Sequence, residues 1–86
     1  MPKIEIYTTP SCSYCVAAKA LLSHKGVPYE EIDVRDPDLR MAMTERAHGR
    51  RTVPQIFVGE THVGGYEEMA ALERSGALDS MLTPAG

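Results

Sequence analysis

The chain carries only two cysteines, and they stand two residues apart in Cys12-Ser13-Tyr14-Cys15, behind the run Ile4-Glu5-Ile6-Tyr7. That run alternates apolar and polar residues with the period of a half-buried strand. From Ser13 to about Lys25, Val16, Ala17, Ala20, Leu21 and Leu22 recur at helical spacing, and Gly26 stops the helix as its C′ residue. The thiol pair therefore sits where a strand hands over to a helix. Backbone N–H groups and the helix dipole favour a thiolate there, at Cys12. Cys15 falls one helical turn further in, close enough to close a short disulfide ring. An ordinary thiol, with a pKa of about 8.5, is only a few per cent thiolate at neutral pH. A lowered value makes the sulfur mostly thiolate and also a ready leaving group from a mixed disulfide.

Other uses of the pair fit less well. A structural zinc ion needs four ligands, and the chain has two sulfurs with His24, His48 and His62 scattered at no zinc-ligand spacing. No metal site is expected. A stabilising disulfide is disfavoured, because so short a loop removes little entropy from the unfolded chain. Ser11 or the residues beside it are candidates to cap the helix.

Length and charge bound the rest. Eighty-six residues make one domain, 1–86, long enough for a single core without staples. A net charge of −3 argues against nucleic acid as a partner. Arg46, Arg50 and Arg51 cluster before Thr52; they read either as a solvated helix end or as an anion site beside the cysteines. After Met1-Pro2-Lys3 the chain enters its first strand with no export signal, and no apolar run is long enough to span a membrane. A C-x-x-C protein without a leader is expected in the reducing cytoplasm, its disulfide transient and catalytic.

The remaining elements follow from local signals. Val27 to Val34 reads as a second strand, with Tyr29 and Ile32 adding apolar surface, and the helix between two strands predicts a parallel β-α-β unit. Asp36-Pro37-Asp38 starts a second helix, with a capping acid and Pro at its first position, which runs to about His48 before Gly49. Met41 and Met43 on it read as core filler. Gln55-Ile56-Phe57-Val58 and Thr61-His62-Val63 form an antiparallel hairpin around Gly59-Glu60. Gly64-Gly65 precedes a helix from Tyr66 to about Ser75, and after Gly76 comes a short helical segment. Thr83-Pro84-Ala85-Gly86 reads as a frayed tail.

The order β-α-β-α-β-β-α, with C-x-x-C after the first strand, is the thioredoxin-like arrangement: an α/β fold with a four-stranded mixed sheet flanked by three or more helices. Thr52-Val53-Pro54, Gly64-Gly65-Tyr66-Glu67-Glu68 and Tyr14 within the motif narrow it further. From Ile4 to about Leu82 the chain resembles a bacterial dithiol glutaredoxin of C-S-Y-C type. The resemblance implies that Cys12 is the nucleophile, that Cys15 is the resolving thiol, and that Pro54 is held cis opposite them. An X-Pro bond permits this at modest cost. It also implies a glutathione groove. The Val53 backbone would pair with the tripeptide like an added strand. Thr52 and Pro54 flank it, Tyr14 covers one side, Gly65 lets backbone approach, and the N–H groups of Tyr66 and Glu67 bind the γ-glutamyl carboxylate.

The chain departs from the family pattern at two places. Ser13 stands where many dithiol members carry proline, and Thr9 where a lysine is frequent; Arg40, Arg50 or Arg51 are candidates to replace that cation. The resemblance implies a monomeric, glutathione-dependent thiol–disulfide oxidoreductase acting on protein disulfides and protein–glutathione mixed disulfides. The alternative is a binding module in which two chains and two glutathiones hold a [2Fe–2S] cluster through Cys12, a reading that Ser13 keeps open.

Overall fold

The computed structural model describes residues 2–82, so the tail expected at Thr83-Pro84-Ala85-Gly86 lies outside the described residues. The elements are β1 (Ile4–Thr8), α1 (Ser13–His24), β2 (Glu30–Asp33), α2 (Pro37–Arg46), β3 (Gln55–Val58), β4 (Thr61–Gly64), α3 (Tyr66–Ser75) and α4 (Ala77–Leu82). The strands form one sheet in the order β2-β1-β3-β4. β1 runs parallel to β2 and antiparallel to β3, and β4 returns antiparallel along β3. The expected four-stranded mixed sheet with flanking helices is what the chain builds.

Successive side chains of a strand point to opposite faces, and this alternation divides the core in two. Ile4, Ile6, Ile56 and Val58 meet Ala18 and Leu22 of α1, Met69 of α3, and Leu78 and Leu82 of α4. On the other face Tyr7 and Phe57 meet Val34, Met43 and Ala47. Each large apolar side chain buried this way contributes about 1.5–3 kcal/mol. The central strands β1 and β3 therefore form a rigid floor, and the loops at one end of it carry the cysteines and Thr52-Val53-Pro54.

Several local expectations shift. β2 is shorter than Val27–Val34: Pro28 has no N–H to donate, and pairing with β1 begins at Glu30. Val27 instead packs against the core ahead of the strand. On α1 the buried residues are Cys15, Ala18 and Leu22, while Val16 is 59% exposed. Met43 is buried as expected, but Met41 is 64% exposed and is not core filler. Positions two apart on a helix lie about 200° apart around its axis, so only one of the pair can face the sheet. α2 begins as predicted, with the Asp36 carboxylate accepting the N–H groups of Asp38 and Leu39 at 2.8 and 3.4 Å. It ends at Arg46 because His48 turns to φ 58° and Gly49 to φ 93°.

The arginine cluster also separates. Arg46 reaches to the sheet, pairing with Glu5 at 2.8 Å, donating to the Tyr7 hydroxyl at 3.1 Å and lying 4.0 Å from the centre of the Phe57 ring. Arg50 turns toward α3. Arg51 stays exposed, with its carbonyl accepting from Arg40 at 2.8 Å.

Candidate active site

Cys12 is the N-cap of α1, with extended backbone at φ −106° and ψ 110°. Its Sγ accepts the Cys15 N–H at 3.0 Å, so the cap that satisfies the first turn is the reactive sulfur rather than Ser11. A backbone N–H aimed at Sγ solvates negative charge on it. As a thiol, Cys12 donates to the Val53 carbonyl at 3.7 Å. That contact ties α1 to the loop before β3, where the Val53–Pro54 bond is cis.

Cys15 lies behind Cys12 and is 1% exposed; both thiols are free. Burial, followed by its hydrogen bond with Cys12, pushes the Cys15 thiol up to about 12. The Thr9 backbone opposes that rise. A partly exposed Cys12 and a buried, neutral Cys15 are suited to different tasks. Cys12 can meet an external disulfide, and Cys15 can attack only the sulfur in front of it.

Beside Cys12 runs a groove lined by Tyr14, Thr52, Val53, Pro54, Gly65, Tyr66 and Glu67, together with Arg50 and Glu68. Of the residues expected from sequence to hold glutathione, Tyr14, Thr52, Val53, Pro54, Gly65, Tyr66 and Glu67 line this groove, and Cys12 is not among the lining residues. Tyr14 is 56% exposed, and its ring lies 6.1 Å from that of Tyr66. Sequence reasoning stopped at Glu67 and missed Glu68. The Glu68 carboxylate accepts the Gly65 N–H at 2.8 Å and pairs with Arg50 at 2.7 Å. The Gly65 N–H first, then Arg50, hold its carboxyl below the usual range. A glutamate three positions after a helix N-cap is half of a capping box, a signal present in Gly65-Tyr66-Glu67-Glu68. Of the three arginines before Thr52, only Arg50 reaches the groove.

Its floor depends on two adjacent glycines in different ways. Gly64 has φ +112°, and a Cβ there would lie 2.5 Å from Glu68 Oε1. Gly65 has φ −90°, and a Cβ there would lie 3.5 Å from the Pro54 carbonyl. The positive φ and the Glu68 side chain packed against it therefore call for glycine at position 64, while position 65 opens onto the groove.

A mixed sheet flanked by helices, with a free thiol pair at the start of its first helix facing a cis-proline, defines a thioredoxin-like thiol-redox protein. Residues 4–63 match the family Glutaredoxin, and the chain belongs to the glutaredoxin family. It is 51% identical over 84 residues to the glutaredoxin of Pseudomonas aeruginosa, covering 96% of this chain and 99% of that one. The solution structure of glutaredoxin from Brucella melitensis superposes with a TM-score of 0.84 at 53% identity, covering 95% of this chain and 89% of that one. A buckwheat glutaredoxin–glutathione complex superposes with a TM-score of 0.85 at 28% identity, covering 94% and 76%. Family membership makes the chain a thiol oxidoreductase with Cys12 and Cys15 as its redox-active pair.

Proposed function

We propose that this single domain, residues 1–86, reduces protein–glutathione mixed disulfides and protein disulfides with glutathione as co-substrate, as a cytoplasmic monomer of C-S-Y-C type. The observation that carries the reading is the groove beside Cys12. It combines the backbone of Val53, next to the cis Val53–Pro54 bond, with a helix N-terminus at Tyr66 and Glu67, the two recognition elements a γ-glutamyl peptide asks for. The Gly65 N–H is already held by Glu68, which leaves the first-turn N–H groups of Tyr66 and Glu67 for the γ-glutamyl carboxylate. Arg50, on the same wall, adds the cation that Thr9 does not supply. A related glutaredoxin forms a complex with glutathione, which supports the same use here.

The chemistry balances in two exchanges. Cys12 thiolate attacks the glutathione sulfur of a mixed disulfide. The protein–glutathione S–S bond breaks, a Cys12–glutathione bond forms, and the protein thiolate leaves and takes up a proton. A second glutathione thiolate then attacks the Cys12-bound glutathione sulfur, releasing glutathione disulfide and regenerating Cys12. With a protein disulfide, Cys12 forms a mixed disulfide with one protein sulfur. Cys15 then loses its proton, attacks Cys12 and expels the second protein thiolate, leaving a Cys12–Cys15 disulfide that two glutathiones reduce.

A bridged iron–sulfur cluster gains no specific support. That arrangement asks one sulfur of each chain, which Cys12 supplies with Cys15 buried behind it, so the site geometry does not favour it over the thiol exchanges. The test is a turnover assay coupled to glutathione reductase. Cys12→Ser should abolish all turnover. Cys15→Ser should keep deglutathionylation, where glutathione supplies the second thiol, and lose reduction of protein disulfides. Equal loss in both variants on both substrates would overturn the assignment.

A further inference from the structure

Thr52 forms part of the groove wall, and it is held from behind by a hydrogen-bond chain that the thiol exchanges do not use. Gln55, the first residue of β3, is wholly buried, so both ends of its amide need partners. Gln55 Nε2 lies 3.0 Å from the Thr52 carbonyl oxygen and 3.2 Å from Thr52 Oγ1. Gln55 Oε1 lies 2.7 Å from His62 Nε2.

The donor directions follow by elimination. A carbonyl only accepts, so the NH2 end of Gln55 faces Thr52. Its Oε1 then faces His62 and also only accepts, so His62 Nε2 carries a hydrogen. Thr52 Oγ1 receives an N–H from Gln55, so its own hydrogen is directed elsewhere than at Gln55, and Thr52 is a residue that lines the groove. His62 is fixed in turn. It pairs with Phe57 in the β3–β4 register and stacks on that ring at 4.7 Å and 21°. Burial first, then Arg50 and His48, hold the imidazole below its usual pKa, which leaves one hydrogen on the neutral ring.

We propose that His62, acting through Gln55, is a positioning residue of the glutathione groove that sets the Thr52 hydroxyl as a donor to a glutathione carboxylate. The proposal rests on the glutathione reading above. His62 stands on β4, on the far strand of the hairpin, and Thr52 stands on the loop ahead of β3. Neither local propensity nor motif spacing joins them. The sheet does, because the hairpin brings β4 alongside β3 just behind the loop.

The test measures KM and kcat with a glutathionylated peptide in the coupled assay, in five variants beside the wild type. Thr52→Val and His62→Phe should each raise KM about five-fold, the worth of one hydrogen bond, with kcat within about two-fold. Phe keeps the ring and its stacking but has no donor. The double variant should raise KM no further, because both changes remove the same hydroxyl contact. His62→Gln, whose amide nitrogen reaches the place of Nε2, should restore KM. In the unmodified protein, long-range 1H–15N correlation should show His62 as the neutral Nε2–H tautomer, a readout independent of any variant's folding. An Nδ1–H tautomer, additive effects in the double variant, or an unchanged KM in His62→Phe overturns the relay. Gly65→Val separates the two layers. If it raises KM while His62→Phe does not, the relay alone fails. If it leaves KM unchanged, the glutathione reading fails, and the relay with it.

Discussion

Replacing Gly64 by alanine should lower stability by about 2–4 kcal/mol, whereas the same change at Gly65 should stay within about 0.5 kcal/mol. The difference is set by two observations. Gly64 holds φ +112°, where a non-glycine residue is strained by about 1–3 kcal/mol, and its new Cβ would meet Glu68 Oε1 at 2.5 Å. Moving Glu68 aside gives up its bond to the Gly65 N–H, a helix-capping loss of about 1 kcal/mol. The Arg50–Glu68 pair adds little, because its side chains are 44% and 43% exposed. At Gly65, by contrast, φ is −90° and the nearest atom to a new Cβ is an ordinary 3.5 Å away. For a domain of this size, 2–4 kcal/mol lowers Tm by about 10–25 °C. Urea unfolding followed by far-UV circular dichroism should show a reduced midpoint for Gly64→Ala at unchanged slope. In a Glu68→Ala background the contact with Oε1 is already gone, so Gly64→Ala should cost less there, its backbone strain and the 3.0 Å approach of the mobile Arg50 end remaining. Gly64→Ala within about 0.5 kcal/mol of the parent protein, or Gly65→Ala equally damaging, would refute the reasoning.

Other expectations follow from particular contacts. Burial first, then the hydrogen bond with Cys12, raises the Cys15 thiol to about 12; the burial persists once Cys12 is in a mixed disulfide and keeps the thiol above its ordinary range, whereas the Cys12 contribution does not persist. Only the thiolate attacks, so closure of the Cys12–Cys15 disulfide should accelerate about ten-fold per pH unit from about pH 7 to 9. Rapid-quench measurement of thiol release from the Cys12 mixed disulfide checks this, and a plateau by about pH 8.5, the ordinary thiol range, contradicts it. Ser13 occupies the first position of α1, where proline is well accommodated. Ser13→Pro should therefore leave urea stability unchanged or raised by up to about 1 kcal/mol, and a loss would show that this position is not helical. Arg46→Met should destabilise by about 1–3 kcal/mol, since it leaves Glu5 unpaired beside the sheet and removes the cation over Phe57. The loss should show as a lower urea midpoint that added salt does not restore.

What could be read from the amino acids alone rests on short-range physics. A C-x-x-C between an alternating run and a helical run, Asp36-Pro37-Asp38 as a helix start, and Gly59-Glu60 between two apolar runs are each decided within a few residues. They are enough to order the elements, and with Thr52-Val53-Pro54 and Gly64-Gly65-Tyr66 they place the groove. The face of a helix is a weaker signal. Met41 reads from sequence as core filler and Val16 shares the helical spacing of the apolar residues of α1, yet both are exposed, because the side of α1 and α2 that meets the sheet is chosen by packing. Partners distant in sequence are weaker still. Three neighbouring arginines diverge to Glu5, to Glu68 and to solvent. Gln55 joins Thr52 to His62 only because β3 and β4 lie side by side. Local signals carry over a turn of helix or a hairpin, and they determined the elements, the thiol pair and the groove residues. Charge pairs and hydrogen-bond relays act through space across the sheet, so only the tertiary structure could decide which side chains hold that groove in place.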